Sequence, residues 1–129
     1  MASLWRLTVR SEFSSSHALR HYQGKCESLH GHNFSVEATV EGGALSAPVE
    51  YLVDFSYLKK ALNRVLDGLD HKDLNSTPPF DVLNPTSENL ARFIYQELQP
   101  LAVEHGVRVY SITVGEKSTQ CATYLEICE

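Results

Sequence analysis

Residues 26–32 read Cys26-Glu27-Ser28-Leu29-His30-Gly31-His32, a thiol separated by three residues from two histidines that are themselves two apart. Along a β-strand, residues i and i+2 point to the same face, roughly 7 Å apart. His30 and His32 can therefore converge on one ion, and Gly31 between them adds no side-chain bulk. His17 closes an upstream run, Phe13-Ser14-Ser15-Ser16-His17. If the two segments pair as antiparallel strands, the end of the first meets the start of the second and His17 joins the pair. Three neutral imidazole nitrogens with an open fourth position form the ligand set of a catalytic zinc rather than of a closed structural one.

Several other residues have chemistry to offer. Cys26 reads either as a fourth ligand, closing a structural Cys-His₃ site, or as a free thiol whose pKa a nearby dication lowers, fit to act as base or nucleophile. Asp70-His71 follows a helix directly; an aspartate beside an imidazole can fix its tautomer and raise its basicity, or the pair merely caps the helix. Glu116 lies on the apolar parity of a strand, where an unpaired carboxylate is costly to bury, so it calls for an arginine or a cationic or amide-type ligand. Thr86 and Ser87 stand at a helix start, where hydroxyls and free N–H groups cap the helix or bind a ligand. Cys121 and Cys128 read as small buried packing residues, and His21 and His105 as surface residues.

The elements that must position these groups follow from periodicity. Residues 4–17 alternate, with Trp5, Leu7, Val9 and Phe13 on the apolar side and His17 on the same parity unless a bulge intervenes. Residues 30–41 alternate again, His32, Phe34, Val36, Ala38 and Val40 on one side. Asp54 is an N-cap for a helix carrying Phe55, Leu58, Leu62, Val65 and Leu69 at spacings of three and four. Asn84-Pro85-Thr86-Ser87 opens a second helix that buries Leu90, Phe93, Ile94 and Leu98 and is ended or kinked by Pro100. Strands follow over 107–116, with Tyr110, Ile112, Val114 and Glu116 sharing one parity, and over 121–128. The order ββααββ predicts an α+β fold, a four-stranded antiparallel sheet with two helices on one face. Its two open edges invite assembly between subunits.

A chain of 129 residues, 43% hydrophobic and 21% charged, has ordinary globular composition and the length of a single domain. The net charge of −5 argues against non-specific binding to nucleic acid or anionic membrane. No apolar run approaches the roughly 18 residues of a membrane span, and the start shows no signal-peptide core. Three irregularly spaced cysteines make no disulfide framework, which points to a cytoplasmic setting.

Taken together, Phe13-Ser14-Ser15-Ser16-His17, Cys26-x-x-x-His30-Gly31-His32, Asp54-Phe55 with Leu58-Lys59, Leu69-Asp70-His71, Asn84-Pro85-Thr86-Ser87-Glu88-Asn89 and Glu116 resemble the 6-pyruvoyl-tetrahydropterin synthase family. The resemblance spans nearly the whole chain and is strongest to the bacterial 6-carboxytetrahydropterin synthase branch, since animal pyruvoyl-forming enzymes have a longer gap between cysteine and histidines. It implies a tunnelling fold, in which trimers of the subunit close a β-barrel and two trimers stack into a homohexamer with active sites at the interfaces. It also implies zinc on His17, His30 and His32, Cys26 as catalytic thiol with Asp70 and His71 as its relay, and Glu116 as anchor for the amino-pyrimidine edge of a pterin, helped by Thr86 and Ser87. The implied reaction is lysis of 7,8-dihydroneopterin triphosphate to 6-carboxytetrahydropterin, acetaldehyde and triphosphate, on the route to queuosine and related deazapurines, without nicotinamide. Arg20 and Lys25 are triphosphate-binding candidates by charge and position. Glu27 leaves a further reading open, because a related branch uses a glutamate in place of the cysteine to form 6-hydroxymethyl-dihydropterin for folate. The pyruvoyl-forming reaction, and a non-catalytic protein that binds pterin or structural zinc, complete the alternatives.

Overall fold

The computed structural model describes residues 3–24 and 27–127. Cys26, Lys25 and Cys128 lie outside the described residues. Strands β1 (Trp5–His17) and β2 (His30–Gly42) pair antiparallel, Phe13 opposite Phe34 and His17 opposite His30. Helix α1 (Phe55–Asp67), the short strand β3 (Lys72–Asp73) and helix α2 (Ser87–Val103) follow. Strands β4 (Arg108–Lys117) and β5 (Gln120–Tyr124) complete the chain's regular structure. The sheet order is β3-β1-β2-β4-β5. Among the described residues no helix is long and apolar enough to cross a membrane.

The predicted α+β class and ββααββ core are present, with one correction to the four-stranded antiparallel sheet. Lys72–Asp73 adds a fifth strand, parallel to β1 and opposite Ser15 and Ser16. Two residues are too few to show alternation, so the sequence pattern could not reveal it. The last strand is also shorter than expected, ending at Tyr124.

One face of the sheet carries Val9, Phe13, Phe34, Val36, Ala38, Val40, Ile112 and Val114 into a core shared with Leu58, Leu62 and Leu66 of α1 and Leu90, Ile94 and Leu98 of α2. Asp54 caps α1 as its spacing foretold, its carboxylate accepting from the Ser56 amide at 2.8 Å. Phe55, expected on the buried stripe, is half exposed, as is Trp5 at the far end of β1. Pro100 does not end α2, which runs on to Val103. Tyr110 leaves its expected parity because the β2–β4 register shifts between Thr39 and Val40. The bulge turns Val109 inward and sends Tyr110 to the opposite face, where the Arg6 guanidinium stacks 3.6 Å from its ring centre.

That opposite face is a ladder of cross-strand polar pairs: Arg6 with Glu41, Thr8 with Thr39, and Arg10 with Glu37. The two faces thus differ in kind, one packed and one hydrogen-bonded. Deleting packed volume should cost most. Phe34→Ala, which removes a fully buried ring stacked 4.9 Å from Phe13, should lower stability by about 3–5 kcal/mol. Asp54→Ala should cost only about 1 kcal/mol. Urea unfolding followed by circular dichroism orders the two, and an equal loss for both would contradict this account of the core.

Candidate metal centre and active site

The register of β1 and β2 builds the centre. With His17 opposite His30 and Ser15 opposite His32, all three imidazoles project from the helix-covered face at one end of the sheet. Their candidate ligand nitrogens lie within 4.8 Å of one another. His17 is fully buried, its ring edge-on to Phe34 at 5.1 Å. The backbone fixes which nitrogen is free. His17 Nδ1 lies 2.8 Å from the Pro85 carbonyl and His30 Nδ1 lies 2.7 Å from the Ser28 carbonyl. A carbonyl only accepts, so both Nδ1 atoms carry the proton and both Nε2 atoms present lone pairs. This is how a protein orients metal-binding histidines. His17 Nε2 is moreover buried without a hydrogen-bond partner, an arrangement that a metal ion satisfies.

Electrostatics favour the ligating form. Burial pushes the His17 pKa below its ordinary value, assisted by His30 and His32 and opposed by the Pro85 carbonyl and Glu116. His32 is also lowered, chiefly by burial, with His30 and Lys117 adding to the effect and Glu116 opposing it. Neutral imidazoles at neutral pH are what a metal requires.

Glu116 sits where the strand parity put it. Its carboxylate places one oxygen 3.9 Å from His17 Nε2 and the other 3.5 Å from His32 Nε2, and the Ser87 hydroxyl lies 3.4 Å away. Thr86 is the N-cap of α2, accepting from the Asn89 amide at 3.1 Å. Thr86, Ser87 and Glu116 line one cavity of about 350 Å³ together with Leu19 and Tyr22. The arrangement offers a carboxylate, hydroxyls and neighbouring imidazoles to one ligand.

Asp70 and His71 bond to each other, Nδ1 to Oδ2 at 2.9 Å. The second Asp70 oxygen accepts from the Ser14 amide at 2.8 Å, and the His71 amide donates to the Ser14 carbonyl at 2.6 Å. The Ser14 N–H is the main cause that holds the Asp70 carboxyl below its usual range. His71 has φ of 55°, in the left-handed region that side chains rarely adopt, a local strain of the kind stored at functional sites. Its exposed ring shares a cavity of about 630 Å³ with Ser14, Ser16, Asn33 and His32. Thr86, Ser87 and Glu116 line the other cavity instead. Glu27 is exposed, its amide donating to the Gly24 carbonyl at 3.2 Å.

Three features escaped the sequence reading. Asn75 clamps both backbone groups of Ala18, at 2.8 and 2.9 Å, and Asn84 does the same for Arg20. These side-chain amides stand in for a strand and hold the chain just after His17. Arg20 itself donates through Nη2 to the carbonyls of Phe80 and Leu83, which ties one of its guanidinium nitrogens to the fold. Cys121 is exposed rather than buried and lines the Glu116 cavity opposite the opening turn of α2. Asparagines among prolines were the available signal for the clamps.

The sequence profile of 6-pyruvoyl tetrahydropterin synthase matches residues 6–126. The 6-pyruvoyl tetrahydrobiopterin synthase of Dictyostelium discoideum is 37% identical over 130 residues, covering 92% of this chain and 93% of that protein. The dihydroneopterin monophosphate aldolase of Pyrococcus furiosus is 37% identical over 94 residues, covering 73% of this chain and 75% of its own. The 6-carboxy-5,6,7,8-tetrahydropterin synthase of Synechocystis is 32% identical over 125 residues, covering 94% and 93%. The solved structure of Caenorhabditis elegans 6-pyruvoyl tetrahydropterin synthase superposes with a TM-score of 0.85 at 25% identity, over 98% of each chain. Fold, motif order and similarity along almost the whole length agree: the chain belongs to the 6-pyruvoyl tetrahydropterin synthase family, a family of lyase-type enzymes.

Proposed function

We propose that this chain is a zinc-dependent lyase that converts 7,8-dihydroneopterin triphosphate to 6-carboxytetrahydropterin, acetaldehyde and triphosphate, a step toward queuosine and related deazapurines. The observation that carries the reading is the proximity of Glu116 and Ser87 to three histidines whose candidate ligand nitrogens lie within 4.8 Å of one another. Similarity to the Synechocystis carboxytetrahydropterin synthase and the three-residue gap before His30 support this product over the pyruvoyl one.

Each residue then has a task. Glu116 receives the guanidine-like N–H pair of the pterin, a bidentate match for a carboxylate, with Thr86 and Ser87 beside it. His17, His30 and His32 hold the metal. The chemistry a bound zinc supplies is polarisation of the side-chain hydroxyls, which acidifies neighbouring carbon-bound protons. Cys26 removes a carbon-bound proton as thiolate, and His71, oriented by Asp70 at 2.9 Å, returns protons elsewhere. His71 and Glu116 line different cavities of one subunit, so in this proposal they meet across an interface, in a homohexamer built as a dimer of trimers in the cytoplasm.

A second reading has its own support. The Pyrococcus relative is named as an aldolase acting on dihydroneopterin monophosphate, and Glu27 beside Cys26 is the acid–base group that cleavage to 6-hydroxymethyl-dihydropterin would use. Mass spectrometry of the products from zinc-loaded protein and 7,8-dihydroneopterin triphosphate separates the two. Carboxytetrahydropterin with acetaldehyde is expected, and hydroxymethyl-dihydropterin as main product would move the assignment to the aldol cleavage.

Cys26→Ala should abolish turnover while retaining one zinc per subunit; loss of metal in that variant would sink the catalytic-thiol role. Mixing inactive Cys26→Ala and His71→Ala subunits after partial unfolding should restore a fraction of activity through interfaces that combine one intact residue of each kind. Persistent inactivity of well-folded mixed oligomers would argue against a site shared between subunits.

A further inference from the structure

Leu19 and Tyr22 line the Glu116 cavity although they belong to no strand or helix. Three local devices hold this stretch of the connection after β1. Asn75 and Asn84 tie the backbone of Ala18 and of Arg20, so Leu19 is fixed between two clamps. His21 then adopts a φ of 64°, in the left-handed region that is uncommon for a residue with a side chain, and the turn leads on to Tyr22. Gly24 lies against the Tyr22 ring. A Cβ at Gly24 would fall 2.9 Å from Tyr22 Cε1, so any side chain there would push the ring aside. Backbone strain of the kind seen at His21 clusters at ligand clamps.

The ring so placed does little for the fold. Tyr22 is half exposed, and its hydroxyl has no hydrogen-bond partner among the described residues. A solitary exposed aromatic is ordinary. One seated by a glycine on the wall of a cavity that also holds a carboxylate and two hydroxyls is not. The cavity, of about 350 Å³, stands at the small end of the roughly 300–1,000 Å³ typical of ligand pockets. Its polar groups, Glu116, Thr86 and Ser87, can grip a flat ring only by its edge, because hydrogen bonds to such a ring lie near its plane. The faces of that ring then remain to be covered, and an aromatic side chain covers one by offset stacking.

We propose that Tyr22 gives the Glu116 cavity its preference for flat heteroaromatic ligands, by stacking on one face of the ring whose edge the carboxylate holds. Gly24 acts as a positioning residue that seats Tyr22, and Leu19 extends the apolar wall beside it. The identity of the ring rests on the pterin reading above; the demand for flatness rests on the cavity.

Unphosphorylated neopterin, which fluoresces, is the probe, titrated into zinc-loaded protein with zinc content and melting temperature as controls. Tyr22→Ala should keep both controls at wild-type values and bind neopterin at least about 5-fold more weakly, the low end of what alanine costs at a base-stacking aromatic. Tyr22→Phe keeps the ring and should bind within about 2-fold of wild type, since the hydroxyl has no partner to lose. Tyr22→Leu keeps apolar bulk without a π face and should resemble alanine. These last two decide the matter if alanine lowers the melting temperature. Gly24→Ala should weaken binding when Tyr22 is present and add nothing to Tyr22→Ala. Wild-type affinity in both the Ala and Leu variants overturns the stacking role, as does an equal loss in Phe and Leu. Additive losses from Gly24→Ala and Tyr22→Ala overturn the seating role of Gly24. A wild-type protein that binds no neopterin overturns the pterin reading and the proposal with it, an outcome distinct from wild-type binding that survives loss of the ring.

Discussion

The pairing register of β1 and β2 is the constraint on which the rest of this molecule depends. Side chains alternate along a strand, so a slip of one residue would turn His17 away from the face that carries His30 and His32. What prevents the slip is the packing below the centre. Phe13 and Phe34, opposite each other and stacked, lie one step deeper than Ser15 and His32, and both rings are excluded from water. Moving them to the polar face would expose both at several kcal/mol. The hydrophobic core therefore sets the geometry of the histidine cluster, and the histidines share the strand pattern of that core.

The sheet also divides the chemistry. Its packed face carries the three histidines, Glu116 and the opening turn of α2. Its edge at β1 carries Asp70 and His71, docked on the backbone of Ser14. The same short stretch, 14–17, thus serves both groups: Ser14 through its amide and carbonyl, His17 through its ring. A single chain consequently presents two partial constellations. Any disturbance of the end of β1 would reach both.

Two carboxylates show two ways in which burial is handled. Burial alone would raise the pKa of Glu41, but hydrogen bonds and charge from Arg108 and Arg6 outweigh it and hold the carboxyl below its usual range. That group is satisfied within the fold, by bonds of 2.6–3.0 Å. Glu116, comparably placed on the other face, has two imidazoles and a distant hydroxyl instead. Stability pairs its charges internally, whereas a site leaves one to be completed from outside.

Much of this could be read along the chain. The parity of His17, His30 and His32 with apolar neighbours, the Asp54 cap, and the inward lean of Glu116 are consequences of local periodicity, which a sequence displays directly. Periodicity failed where length or tertiary contact took over. Two residues of β3 are too short to show a pattern, and the bulge at Thr39–Val40 reversed the side to which Tyr110 projects. Charge and position make Arg20 a triphosphate candidate, and nothing in the sequence marked that the Phe80 and Leu83 carbonyls would accept from its Nη2. The order of the elements and the strand parity that clusters the three histidines were thus legible in the sequence alone, because they follow from spacing. Which nitrogen His17 presents, and which groups share a cavity, only the tertiary structure decided, because the Pro85 carbonyl and other groups distant in sequence supply the contacts.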